Sequence, residues 1–166
     1  MARAPSLRGA CRTRAHGGHA PQHWLRTPEN LDIPRPLAHV PRMILTVLQV
    51  ALGGALGASG RYLTGLAMTR LLGRGFPWGT LTVNILGSFA MGALVVILAN
   101  TSNRFAPFLM TGVLGGFTTF SAFSLDFATL YERGDVAQAG LYVAASVAVS
   151  LAALFAGLLV TRSFFA

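Results

Sequence analysis

From about residue 43 onward the chain is a series of long apolar stretches separated by short polar turns. An apolar stretch of roughly 20 residues is the length that crosses the hydrocarbon core of a bilayer as a helix. Four such spans fit, at about 43–72, 78–99, 105–131 and 138–160, joined by turns too short for a separate domain. Pro77, at the start of the second, suits a first helical turn, where its missing N–H is not needed. The pattern predicts an all-α membrane protein with four transmembrane helices.

The third span breaks that pattern. Its stretch Gly112 to Asp126, GVLGGFTTFSAFSLD, carries three glycines, two threonines, two serines and a carboxylate inside an apolar run. Gly115-Gly116 followed by β-branched Thr118-Thr119 is a poor helix former. Backbone that leaves the helix at membrane depth survives only where protein buries it, where it lines a cavity or where it meets an ion. A broken third helix whose break is the working part is therefore expected.

Composition agrees with the membrane reading. Hydrophobic residues make up 53% of the chain and charged residues 11%, against about 25% charged in a soluble domain. A bundle this small encloses little by itself, so an oligomer is expected. Residues 1–42 differ in kind: they hold all four histidines, the single Cys11 and seven of the thirteen arginines, with no apolar period. This Arg/Pro/His-rich extension reads as disordered, and because Met43 stands directly before the first span, a start codon called too early is the expected explanation. A basic lipid- or nucleic-acid-binding tail, with seven arginines against Glu29 and Asp32, is the competing one.

The other spans supply candidate contacts. In the first, Gly53 and Gly57, with Gly54 and Ala58, form a close-packing face, and Arg61 falls on the same side. Arg61 is either an attractor for an anion or a structural charge at a wet vestibule. In the second, Thr80, Asn84 and Ser88 recur every fourth residue and draw a polar stripe. In the third, Phe120 and Phe123 share a face and are interleaved with Ser121 and Ser124. An aromatic edge is electropositive, so such a pair could hold a small anion weakly enough to release it. Tyr142, Ser146 and Ser150 repeat the four-residue spacing on the last span.

Taken together, GGALGASGRY, WGTLTVNILGSF and GVLGGFTTFSAFSLD closely resemble, in that order, the fluoride ion channels of the CrcB/Fluc family. The resemblance covers residues 43–166. It implies a passive fluoride channel, not an enzyme, built as a dual-topology antiparallel homodimer in the plasma membrane. It implies a pore amide at Asn84 and pore phenylalanines at Phe120 and Phe123; by pattern, Ser121 between the rings and Tyr142 and Ser150 on the last span are expected to continue the anion pathway. It also implies a structural Na+ held by the backbone carbonyls of Gly115 and Thr118 from both subunits. Ala122 stands where the family usually has a hydroxyl residue, and Asp126 where it usually has glutamate.

Charge placement bears on the dimer. Without the extension, Arg42, Arg104 and Arg162 fall on one side of the four spans, and Arg70, Arg74 and Arg133 on the other. Arginine bias fixes orientation, so a balanced chain can insert both ways. A proton-coupled small multidrug-type transporter has a similar size, but needs a carboxylate in the first span; a helical assembly factor would not use the Thr-Thr-Phe-Ser segment. The expected partners are a second copy of the chain, fluoride and the lipid bilayer, with no nucleic acid. A chain beginning at Met43 is expected to insert, dimerise and carry fluoride as well as the full chain; loss of flux on truncation would point to a working basic tail.

Overall fold

A computed structural model of the chain describes residues 40–99 and 104–165. The expected extension lies outside the described residues up to position 39. Among the described residues the secondary structure is helical: α1 (Val40–Leu72), α2 (Trp78–Ala99), a π-helical segment π1 (Pro107–Leu114), a single turn α3 (Gly115–Phe117), α4 (Phe120–Glu132) and α5 (Val136–Phe165). Four stretches are long and apolar enough to cross a membrane: Arg42–Leu72, Trp78–Ala99, Pro107–Glu132 and Val136–Phe165. The protein is a multi-pass membrane protein.

The spans stand close to where hydropathy puts them. The last runs to Phe165 rather than about 160, because polar Thr161, Arg162 and Ser163 extend the helix instead of ending it; the Ser163 hydroxyl donates to the Val160 carbonyl at 2.7 Å. Gly73 closes α1 with φ 83°, the left-handed conformation that glycine adopts without a Cβ clash. Its N–H returns to the Thr69 carbonyl at 3.1 Å.

α1 lies along the third span backbone to backbone. A Cβ on Gly57 would come within 2.1 Å of the Val113 carbonyl oxygen, so only glycine allows this approach. The small-residue face that spacing predicts is thus the face that docks. α2 packs against α5 in the same way, with Gly92 against Leu154 and Gly157 against Phe89. Small residues serve this purpose in a bilayer, where lipid tails remove the hydrophobic drive for helices to associate. A small core of Leu81, Leu130, Ala139 and Tyr142, flanked by Phe76, Ile85 and Phe123, closes the loop end of α2, α4 and α5.

The third span is not one regular helix. π1 begins at Pro107, and the Gly115 N–H bonds back to both Met110 and Gly112. Gly115 itself stays helical, at φ −63° and ψ −35°. Thr118 (ψ 159°) and Thr119 (φ −156°, ψ 125°) are extended, and α4 starts at Phe120. The helix is interrupted at the threonines and not at the glycines. Gly116 is used for contact, since a Cβ there would lie 2.7 Å from the Gly54 carbonyl oxygen.

Gly57→Leu is expected to destabilise the bundle by about 3 kcal/mol, because the obstruction is backbone that cannot move aside. Gly140→Ala, where an added Cβ meets nothing within 4 Å, is expected to be neutral or to stabilise α5 by up to about 1 kcal/mol. Thermal melts and size-exclusion profiles in detergent separate the two outcomes.

Candidate functional site

The extended threonines form the centre of the site because every polar group they release is taken by a side chain. The Asn84 amide spans Thr119: its Nδ2 donates to the Thr119 carbonyl at 3.0 Å, and its Oδ1 accepts from the Thr119 N–H at 2.8 Å. Asn84 therefore acts as a peptide strand would, pairing with an extended residue on both its donor and its acceptor side. One Nδ2 hydrogen remains for another partner.

The flanking hydroxyls complete the arrangement. Thr118 Oγ1 donates to the Leu114 carbonyl at 2.9 Å, which finishes the upstream helix. Thr119 Oγ1 accepts from the Ala122 N–H at 3.2 Å and so caps α4. A threonine cap of this kind contributes about 1 kcal/mol. The capped N-terminus also turns the positive end of the α4 dipole toward the middle of the bundle.

These pairings leave two carbonyls out. In a continuous helix the Thr119 N–H would return to Gly115 and the Ala122 N–H to Thr118, but both are given to side chains. The Thr118 carbonyl instead accepts a long contact of 3.4 Å from Arg61 Nη1. This places the half-buried guanidinium of α1 directly at the interruption, where a carbonyl meets a charge that is costly in a membrane.

Beside the threonines lies a cavity of about 330 Å³, lined among others by Asn84, Ser88, Phe120, Phe123, Ser146 and Ser150. The Phe120 and Phe123 rings stand 5.4 Å apart at 41°. Phe120 is 78% exposed in the single protomer, which leaves its ring free to meet an ion or a neighbouring surface. The Ser150 hydroxyl is buried with no hydrogen-bond partner among the described residues, so it is available to a small ligand or water.

Two residues expected on the pathway, Ser121 and Tyr142, are not in the lining of this cavity. Ser121 is exposed outside this lining, with its hydroxyl 3.2 Å from Thr119 Oγ1. Tyr142 is fully buried, packs on Phe123 with ring centres 5.3 Å apart and tilted by 36°, and donates its hydroxyl to Asp126 Oδ2 at 3.1 Å. Thr119 is the residue that sequence reasoning passed over. A threonine directly before the restart of an apolar helix is an N-cap signal, and it would have pointed to this residue.

Four apolar spans around a cavity lined by an amide, hydroxyls and aromatic rings define a small membrane transport protein. The chain belongs to the CrcB family: the family model described as "CrcB-like protein, Camphor Resistance (CrcB)" matches residues 48–158. It is 63% identical over 124 residues to a protein of Cereibacter sphaeroides (strain ATCC 17029) named "Fluoride-specific ion channel FluC", covering 75% of this chain and all of the relative. Proteins of the same name from Ruegeria sp. (strain TM1040) and Agrobacterium fabrum are 58% and 52% identical. These matches cover 72% and 74% of this chain, and 97% and 100% of the relatives.

Asn84→Ala removes both hydrogen bonds to Thr119 and is expected to lower stability by about 2 kcal/mol, since the released backbone groups are shielded from water. Asn84→Asp keeps the acceptor but sets a carboxylate against the Thr119 carbonyl. Both variants are expected to melt below the parent.

Proposed function

We propose that the chain is a passive fluoride-selective channel of the bacterial inner membrane that lowers cytoplasmic fluoride. Hydrogen fluoride enters a cell as the neutral acid and dissociates inside, and the trapped anion then leaves through the channel down its electrochemical gradient. The protein is a channel and not an enzyme. The observation that carries the reading is the juxtaposition, at membrane depth, of the interrupted third span, the Phe120–Phe123 pair and the unpartnered Ser150 hydroxyl around one cavity. The names of the relatives agree with it. A proton-coupled exporter of cations finds no support, because α1 carries no carboxylate.

In this reading the interruption at Thr118 and Thr119 is the functional break of the third span. Asn84 offers its remaining N–H to the anion, and the rings of Phe120 and Phe123 offer their electropositive edges. Ser150 supplies a hydroxyl further along. Neutral donors and ring edges bind fluoride without the full charge that would trap it, which is the compromise that conduction requires. Ser121 and Tyr142 act next to this lining, one through Thr119 and the other through Phe123.

The assembly is an antiparallel homodimer of dual topology. The arginine balance of residues 42–166 supports it. A structural Na+ suits the site, since the carbonyls of Gly115 and Thr118 have lost their helical donors to side chains. Carbonyl oxygens from two subunits provide a neutral, hard donor set. The bound ion would supply a fixed positive charge between two pores. Arg61 shares the Thr118 carbonyl and holds it in place within one subunit.

Phe120→Ile and Phe123→Ile keep bulk and remove the ring edge. Each is expected to cut fluoride efflux from liposomes at least tenfold while the dimer still forms, and parental flux in both would reduce the rings to packing. Replacing Na+ by a bulky organic cation at constant ionic strength is expected to lower the flux wherever the ion can exchange.

A further inference from the structure

A second cavity, of about 370 Å³, opens at the loop end of the bundle, lined by Arg74, Thr80, Asp126, Thr129 and Arg133 among others. We propose that this cavity is the outer mouth of the anion path, and that Arg74 and Arg133 are its anion-collecting groups. The proposal rests on the reading of the chain as an anion channel and extends it to residues that the central site does not use.

Two helices, α2 and α4, link the cavities. Moving toward the loop end along α2, the lining passes from Asn84 in the central cavity to Thr80 in the outer one. Along α4 it passes from Phe120 and Phe123 to Asp126 and Thr129. On α5, Tyr142 lines neither cavity; its ring packs between Phe123 of the central lining and Phe76 of the outer one, and its hydroxyl reaches Asp126. The two cavities thus share walls on α2 and α4, with α1 completing the outer one through Gly65 and Thr69 and α5 completing the central one. An ion that crosses a membrane needs an aqueous mouth at each end, and this one stands at the end of the bundle where the α1–α2 and α4–α5 turns lie.

Its charge is arranged for an anion. Asp126 sits on the inner wall with its carboxylate bonded to Tyr142, and alone it would repel fluoride. Arg74 and Arg133 outweigh it, and both are exposed at the rim. The neighbouring acids Glu132 and Asp135 do not line the cavity. A guanidinium is charged at every physiological pH, so the rim raises the local anion concentration without a protonation step. Steering of this kind changes entry rates by roughly ten-fold or more and is lost as salt screens it. The hydroxyls of Thr80 and Thr129 can then replace part of the hydration shell.

The test measures fluoride efflux from liposomes at about 10 mM and about 0.3 M ionic strength, where the screening length falls from roughly 30 Å to below 10 Å. The double variant Arg74→Gln/Arg133→Gln is expected to lose about five-fold in flux at low ionic strength and to converge on the parent at high. Arg74→Lys/Arg133→Lys is expected to behave as the parent. Equal flux in the parent and the Gln variant at low salt overturns the proposal, as does a loss that is the same at both salts and is not rescued by lysine. A second arm works on the assembled channel. In a chain with Cys11→Ser, which removes the single native cysteine, Arg133→Cys is modified with cationic or anionic methanethiosulfonates. The cationic adduct is expected to exceed the anionic one in flux, and identical flux overturns the proposal. A parent that carries no fluoride would defeat the channel reading itself, whereas a conducting but salt-blind parent would defeat only the mouth.

Discussion

Backbone that leaves a helix at membrane depth has no water to turn to, and each unsatisfied group there costs several kcal/mol. The rest of this structure depends on how that constraint is met at Thr118 and Thr119. The Asn84 side chain stands in for a neighbouring strand, taking both polar groups of Thr119. The two threonine hydroxyls finish one helix and begin the next. Without these four bonds the regular helix would be the lower-energy state, and α4 would have no capped N-terminus.

The same constraint explains the glycines of α1. The segment that must be held in register lies against Gly53 and Gly57 with no side chain between the backbones. Arg61, further along α1, then reaches the Thr118 carbonyl. α1 thus acts as a rigid backing for the interruption, and α2 as its hydrogen-bonding partner. The hydroxyl face of α5 is left to line the cavity opposite the phenylalanines. Positions far apart in sequence are coupled through two extended residues.

Much of this could be read in the sequence, for definite reasons. Hydropathy and length place the spans because the bilayer fixes both, and the four-residue spacing of small residues identifies the docking face of α1 because close approach tolerates nothing larger. The polar stripe of α2 contains Asn84, and the resemblance singles it out. What Asn84 binds does not follow from the stripe, because its partner is 35 residues away and becomes available only once the third span unwinds. Ser121 shows a second limit. It lies between the phenylalanines in sequence, but in α4 it is about 100° round the helix from Phe120 and further from Phe123, and its hydroxyl stands beside Thr119. Tyr142 shares a face with Ser146 and Ser150 but not a depth. Its hydroxyl goes to Asp126 at the loop end, a pairing that periodicity along one helix does not reveal.

The proposed path has neutral donors along its lining and Arg61 behind the interruption, and its function is decided by what it conducts. The most direct measurement is ion efflux from liposomes holding the purified full chain, followed with fluoride and with chloride electrodes under the same potential. The account predicts rapid fluoride efflux with chloride efflux no greater than in protein-free liposomes. Comparable flux of the two anions, or no fluoride flux from a correctly assembled protein, would contradict it.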